Sequence, residues 1–195
     1  MNVSFSEESQ RELITIARAA IKAAVAGEPP PSFSCETPEL QIKAGCFVTL
    51  HNKGMLRGCI GTFTSDKPLW KTVAEIAVSS ATRDVRFAGN PITNSEVPEL
   101  DIEISVLSPL RTVNDPLKEI VLGRDGIIIS DKGRSGTFLP QVADETGWTL
   151  EEFLGHCARD KAGIGWDGWR SPSARIYAYT VTIVTEKNLC VNGAS

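Results

Sequence analysis

The sequence predicts an α+β protein of two packed subdomains, with antiparallel or mixed sheets that carry helices on one face. Three observations support this: an apolar stripe at helical spacing, two hairpin patterns that share a Lys-Gly turn, and an alternating strand between them. The chain has 195 residues, of which 42% are hydrophobic and 23% charged, so it can bury a core. We expect one domain over residues 1–195 with halves at about 40–110 and 120–187.

The first predicted element is a helix over residues 6–26. Its apolar residues fall three and four positions apart and form one stripe, which includes Leu13, Ile14, Ala17 and Ile21. Ser6 can cap the start and Gly27 can end the helix.

A β-hairpin is predicted next, with arms Cys46–His51 and Met55–Thr62 around a three-residue turn, Asn52–Gly54. Matching the apolar faces places Cys46, Val48, Leu50, Leu56 and Ile60 together, and leaves Phe47, Thr49, His51, Arg57 and Cys59 on the opposite face. A helix over Pro68–Arg83 and an alternating strand over Leu100–Leu107 complete this half.

The second half repeats the order of elements. An apolar arm leads into Asp131-Lys132-Gly133 and a return arm to Leu139, followed by a helix over Leu150–Arg159 and a strand over Arg175–Thr185. We interpret this order as a weak duplication of a β-hairpin–helix–strand unit. The alternative is coincidence between two ordinary hairpins.

Composition excludes several classes of protein. A net charge of −4 argues against broad nucleic-acid binding, and no apolar run reaches the roughly 20 residues of a membrane span. The amino terminus is polar and acidic, unlike a signal peptide, so a cytoplasmic location is expected. The five cysteines include no CxxC pair, so we expect reduced thiols, no disulfide framework and no metal or cofactor site.

The segment Leu56–Gly61 is the candidate for chemistry. Gly58 and Gly61 inside a strand suggest a bulge or a close backbone approach, which can leave amides free to bind an anion. Arg57, on the predicted face of Cys59, would favour the thiolate. The alternative is that Cys59 is a small buried hydrophobic residue.

Other charged residues are candidates for the same site. Glu103 lies off the apolar row of its strand, where it could pair with Arg57 or carry a proton. Arg83 and Arg86, oriented by Asp84, could bind an anion or could simply form ion pairs at a helix end. The predicted pairing leaves His51 roughly 13 Å from Cys59, too far for direct proton transfer.

Three segments together resemble the AMMECR domain family of the AMMECR-one type: Leu56–Gly61, Ala81–Phe87 and Glu103–Pro109. The second half fits as well, at Gly126-Ile127 and Gly136–Ala143. The resemblance covers nearly the whole chain and implies an α+β fold with two subdomains. The family's signature falls on Arg57, Gly58, Cys59 and Gly61.

The resemblance implies no established activity. Prokaryotic members resemble protein A of the AmmeMemoRadiSam system, which implies a Memo-like protein and a radical SAM enzyme as partners. Two hypotheses follow. In the first, the protein is an enzyme, or part of one, in which Cys59 acts on an unknown small molecule in a pocket lined by Arg57, Glu103 and Lys161. In the second, it is a non-catalytic adaptor or regulatory protein-interaction domain.

Overall fold

A computed structural model describes residues 4–186 of the chain. Its helices are α1 (Glu7–Ala26), α2 (Leu69–Thr82), α3 (Pro116–Glu119), α4 (Gln141–Thr146) and α5 (Leu150–His156). Its strands are β1 (Cys46–Asn52), β2 (Met55–Thr62), β3 (Leu100–Leu107), β4 (Arg111–Val113), β5 (Gly126–Asp131), β6 (Arg134–Phe138), β7 (Arg175–Tyr179) and β8 (Val181–Thr185). Over these 183 positions, no helix combines the length and the apolar character that crossing a bilayer requires.

The strands form two four-stranded sheets, in the orders β2-β1-β3-β8 and β4-β7-β5-β6. The strand pairs with a described register are antiparallel, and the α+β prediction is confirmed. Backbone contacts divide the chain into two compact units, one of residues 4–107 and 182–186 and the other of residues 108–181. In the first sheet, β1 of the hairpin pairs with β3, the strand that follows α2. In the second sheet, β5 of the hairpin pairs with β7, the strand that follows α5. The duplication and the single-domain assignment stay predictions.

The core of the first unit lies between one face of its sheet and two helices. Val48 and Leu50 of β1 point into it, together with Leu13 and Ile21 of α1 and Val73 of α2, all fully buried or nearly so. The α1 boundaries follow the predicted signals, because the Ser6 hydroxyl accepts a hydrogen bond from the Ser9 amide and Gly27 ends the helix with φ of 71°.

Both hairpins turn through two residues rather than the three predicted for the first one. Lys53 and Gly54 have φ of 51° and 80°, and Lys132 and Gly133 have φ of 47° and 81°. Two successive positive φ values define a type I′ turn, whose twist matches that of the flanking strands. The prediction was wrong because Asn52 continues the strand and pairs with Met55.

The second unit has its own core, in which Ile127 and Ile129 of β5 pack with Phe153 and Leu154 of α5. The predicted helix over Leu150–Arg159 ends as an α-helix at His156 and continues as a π-helical turn, Cys157–Lys161. The predicted strand Arg175–Thr185 is divided at Thr180, so that β7 and β8 belong to different sheets.

Candidate functional site

A row of three side chains crosses the first sheet at Cys59. The register pairs Cys59 of β2 with Thr49 of β1, and Thr49 with Glu103 of β3. Because alternate residues face opposite sides of a sheet, this row lies on the face opposite Val48 and Leu50. The structure therefore brings Cys59 and Glu103 onto one face, as the sequence predicted, with Thr49 between them.

A β-bulge sets this register. Leu50 pairs with Gly58 and His51 pairs with Leu56, so Arg57 is the unpaired residue. The glycines of this strand had suggested such an irregularity, and it lies next to Gly58. The bulge also removes Arg57 from the predicted face of Cys59.

Cys59 is a partly exposed residue, and its thiol has a hydroxyl neighbour. Thr49 Oγ1 donates to Cys59 Sγ at 3.2 Å. The Cys59 amide and carbonyl point away from β1 and meet side chains of the segment that follows α2. The amide donates to Asp84 Oδ2 at 2.9 Å, and the carbonyl accepts from Arg86 Nη2 at 3.0 Å. An edge strand exposes unpaired backbone groups, and here two side chains satisfy both groups of one residue.

Asp84 is the centre of this arrangement. Its side chain is only 4% exposed, and it accepts from Arg86 Nε and Nη2 at 2.9 and 2.6 Å. The Arg86 hydrogen bonds hold the pKa of Asp84 well below its ordinary value, with help from the Cys59 amide and against the effect of burial. The pKa of Arg86 is raised, mainly by Asp84 and to a smaller extent by Cys59. We therefore describe Asp84 and Arg86 as a clamp on the Cys59 backbone.

The two glycines of the signature make room for different neighbours. A Cβ on Gly58 would lie 2.1 Å from the carbonyl oxygen of Ser80, so the backbone of α2 packs directly on this strand. A Cβ on Gly61 would lie 2.2 Å from the ring of Phe47. The Ser80 hydroxyl donates to the Val48 carbonyl at 2.8 Å and accepts from the Ile60 amide at 3.0 Å, and thus bridges β1 and β2.

Arg57 is held away from the thiol. Its guanidinium binds Glu96 through Nε–Oε1 and Nη2–Oε2 distances of 2.5 and 3.1 Å and donates to the carbonyl of Asn90 at 3.0 Å. The hydrogen bond to Glu96 raises the pKa of Arg57. The two side chains are 10% and 15% exposed, so they form a largely buried ion pair. Arg57 also lines a pocket of about 350 Å³ at the end of α2, and Cys59 is not among its lining residues.

Glu103, Asp101 and His51 are titratable side chains on the face of Cys59, and Asp101 pairs with His51. Within residues 4–186, the Glu103 carboxylate and the His51 ring have no hydrogen bond or ion pair. His51 lies two residues along β1 from Thr49, which makes it a diagonal neighbour of Cys59 at roughly 7–8 Å between Cα atoms. The predicted separation of roughly 13 Å was wrong, because the shorter turn and the bulge together move the register by two residues.

The remaining predicted residues lie elsewhere. Arg83 ends α2 with an exposed side chain and lines the pocket of Arg57, whereas Arg86 belongs to the clamp. Lys161 is in the second unit, where its Nζ lies 5.8 Å from the ring centroid of Phe138. No group of three His, Cys, Asp or Glu residues in the described part of the chain could hold a metal ion.

The other described cysteines differ from Cys59 in burial. Cys35, Cys46 and Cys157 are buried, whereas Cys59 is partly exposed, and all four are free thiols. Burial raises the pKa of Cys46 and of Cys157 to about 12, and it is the main cause of a raised pKa at Cys35. Cys190 lies outside the described residues, so the prediction of five reduced thiols stays a prediction.

Sequence reasoning missed three residues of this site: Thr49 as the partner of the thiol, Glu96 as the partner of Arg57, and Ser80 as the bridge between strands. Thr49 could have been identified from the correct register. Glu96 lies 39 residues from Arg57 in an irregular segment, and no periodicity marks it.

Comparison with known proteins places the chain in a family. The family described as AMMECR1 matches residues 14–184. A protein of Methanothermobacter thermautotrophicus is 37% identical over 187 residues, which are 93% of this chain and 96% of the relative. A protein of Methanocaldococcus jannaschii is 42% identical over 151 residues, 74% of each chain.

A solved structure has the same fold. The crystal structure of an uncharacterised protein from Pyrococcus horikoshii superimposes with a TM-score of 0.77, with 37% identity and 88% of each chain covered. The sequence match and the structural match extend over most of the chain, and the chain therefore belongs to the AMMECR1 family.

Proposed function

We propose that this protein acts through the thiol of Cys59, as a nucleophile toward an electrophilic small molecule or as a site of covalent attachment. One contrast carries the proposal: Cys59 is partly exposed and hydrogen-bonded to a hydroxyl, whereas Cys35, Cys46 and Cys157 are buried. Selective thiol chemistry requires access and a polar environment, and buried thiols are inert.

The surroundings of Cys59 supply the functions that such a step needs. The hydrogen bond from Thr49 stabilises negative charge on sulfur. The clamp of Asp84 and Arg86 fixes the backbone that carries the thiol. When a bond forms between sulfur and the electrophilic carbon, the leaving group departs with its electron pair and the thiol proton passes to His51, the diagonal neighbour of Cys59 on this face.

The partners come from the family resemblance. We propose that the protein works as a component beside a Memo-like protein and a radical SAM enzyme. Under this proposal the small molecule bound at Cys59 is a substrate or product shared with those partners. The adaptor hypothesis differs in one respect: it requires the surface of the protein but not the thiol.

The test replaces Cys59 with serine, which preserves size and weakens the nucleophile. We expect Cys59→Ser to fold like wild type and to bind the Memo-like and radical SAM partners with unchanged affinity, while a strain that depends on this protein loses its function. The matched control is Cys35→Ser, at a buried thiol in the same unit, and it should retain function.

Full function of a folded Cys59→Ser variant would exclude a thiol mechanism and favour the adaptor hypothesis. A second variant, Cys59→Ala, distinguishes loss of the thiol from any residual activity of the serine hydroxyl. Thermal unfolding of all three variants verifies that each result reports on the folded protein.

A further inference from the structure

The second unit contains a pocket that the proposed function does not use. Its volume is about 560 Å³, within the range of small-molecule sites. Pro109, Leu110 and Ala178 form part of its wall, and Arg111, Arg124 and Asp125 also line it. The pocket therefore combines apolar surface with two guanidinium groups.

A buried carboxylate organises the two arginines. Asp125 is 1% exposed, and its Oδ2 accepts from Arg111 Nη2 at 3.1 Å and from Arg124 Nη2 at 2.7 Å. Arg124 Nε donates to Oδ1 at 3.1 Å, and the Val121 amide donates to Oδ2 at 2.9 Å. Burial by itself would raise the pKa of Asp125, but these hydrogen bonds and the two positive charges lower it. Asp125 is therefore a buried negative charge that is ion-paired with both Arg111 and Arg124.

The arginines keep donors that Asp125 does not use. Arg124 meets Asp125 through Nε and Nη2, which leaves both Nη1 hydrogens available. Arg111 also donates from Nη2 to the Glu119 carbonyl at 2.8 Å, and its Nη1 lies 3.6 Å from Glu119 Oε2, beyond hydrogen-bond distance. The side chains of Arg111 and Arg124 are 40% and 53% exposed. Glu119 is also ion-paired with Arg111, so the four side chains together carry no net charge, but the two guanidiniums keep several N–H groups without a partner among residues 4–186.

We propose that this pocket binds a small organic oxyanion. The anionic group accepts hydrogen bonds from Arg111 and Arg124, whose planar guanidiniums match carboxylate and phosphate oxygens. An apolar body packs against Pro109 and Leu110. The ligand is small, since about 560 Å³ accommodates a body the size of one or two rings.

Pre-organisation supports a binding role. Asp125 holds both guanidiniums in place before a ligand arrives, so little side-chain entropy is lost on binding. The partly exposed guanidinium N–H groups at the end of the pocket donate charge-assisted hydrogen bonds, which favours an anion over a neutral molecule of the same shape. The Ser108 hydroxyl is already occupied, because it accepts from the Thr180 amide at 3.0 Å and donates to the Pro109 carbonyl at 3.2 Å.

The experiment titrates the full chain, labelled with ¹⁵N, with four probes: phenyl phosphate, benzoate, inorganic phosphate and phenol. We expect phenyl phosphate or benzoate to shift the amide signals of Leu110, Asp125 and Thr180 with saturation. Phenol and inorganic phosphate should bind at least tenfold more weakly, since each lacks one half of the recognised chemistry. Tighter binding of phenyl phosphate identifies a phosphate ligand, and tighter binding of benzoate identifies a carboxylate.

Three variants locate the site. Arg124→Gln should weaken the better probe at least tenfold. The matched control, Arg175→Gln, removes a positive charge from the same unit outside the lining of this pocket and should change binding less than twofold. If Arg124→Gln unfolds, binding of the better probe is measured in Leu110→Glu instead. This variant places a negative charge on the pocket wall, leaves both arginines intact and should also weaken binding tenfold.

Three results would overturn the proposal: no saturable shift with either aromatic anion, equal binding of phenol, or unchanged binding in both Arg124→Gln and Leu110→Glu. Each of these results would leave the Arg111–Arg124–Asp125 cluster with a structural role only, which is to hold the chain between β4 and β5 in place. The readout is independent of the Cys59 thiol, so the proposed function stands or fails separately.

Discussion

Replacement of Gly58 by alanine tests how α2 is held against the sheet that carries Cys59. The new Cβ would lie 2.1 Å from the Ser80 carbonyl oxygen and 3.0 Å from the carbonyl carbon, whereas ordinary contact begins at 3.4 Å. Both atoms belong to the backbone of a helix, so no side-chain rotation can relieve the clash. The helix would have to withdraw by about 1.3 Å at this point.

The cost has two parts. Overpacking a tight contact costs about 1–3 kcal/mol, and an obstacle of rigid backbone favours the upper end. Withdrawal of α2 also weakens the two hydrogen bonds of the Ser80 hydroxyl, each worth about 1 kcal/mol. We expect Gly58→Ala to lower the free energy of unfolding by about 3–4 kcal/mol, measured by urea titration followed by circular dichroism.

The matched control is Gly89→Ala. Gly89 has open space around its Cβ position and no left-handed φ, so we expect a change within about 0.5 kcal/mol. If Gly58→Ala also stayed within about 0.5 kcal/mol of wild type, the direct packing of α2 on β2 would be refuted.

Three further predictions concern the partners of the site. Asp84→Asn should lower the free energy of unfolding by about 1.5–3 kcal/mol near neutral pH. Because the folded state lowers the pKa of Asp84, this contribution is full above its ordinary value of 3.8 and is lost as the pH falls below it. The difference in unfolding free energy between Asp84→Asn and wild type, measured by urea titration, should therefore become smaller at low pH. A difference that does not change with pH would contradict the proposed role of the Asp84 carboxylate in the clamp. Glu96→Gln should cost about 3 kcal/mol in the same assay, since Arg57 would be left largely buried without its counter-ion, and a neutral effect would show that the pair contributes nothing. Thr49→Val should slow alkylation of Cys59 severalfold, measured by mass spectrometry, at nearly unchanged stability; an unchanged rate would remove Thr49 from the mechanism.

The shared face of Thr49 and Cys59 was predictable from the sequence although the register of the hairpin was not. The two-residue turn moves the pairing by one residue and the bulge moves it by another. Because side chains alternate with a period of two, the combined shift returns Thr49 and Cys59 to a shared face. Between the turn and the bulge only the shift from the shorter turn applies. Leu56 therefore pairs with His51 and shares its face, and does not share the face of Leu50.

Local pattern could not reveal the partners of Arg57 and Asp84. Arg57 stands in a strand and meets Glu96 in an irregular segment, a pairing that depends on where that segment returns to the sheet. The clamp of Asp84 on Cys59 joins residues 25 positions apart and appears only when β2 is known to be an edge strand. By contrast, Gly58 was recognisable, since a glycine in a strand interior often marks a close backbone approach.

The division of Arg175–Thr185 into two strands has a similar origin. The segment has strand-forming residues throughout, and only tertiary pairing decides that β7 joins β5 and β4 while β8 joins the other sheet. Propensity alone indicates a strand at this segment and cannot say which sheet receives it.

The most direct test of the thiol proposal is the rate at which Cys59 is alkylated in the native protein. A Cys190→Ser background restricts the comparison to the four described thiols, which are treated with substoichiometric iodoacetamide and read by peptide mass spectrometry. The account predicts that Cys59 is modified at least tenfold faster than Cys35, Cys46 and Cys157, which burial protects. Modification of Cys59 at the rate of the buried cysteines, or more slowly, would contradict it.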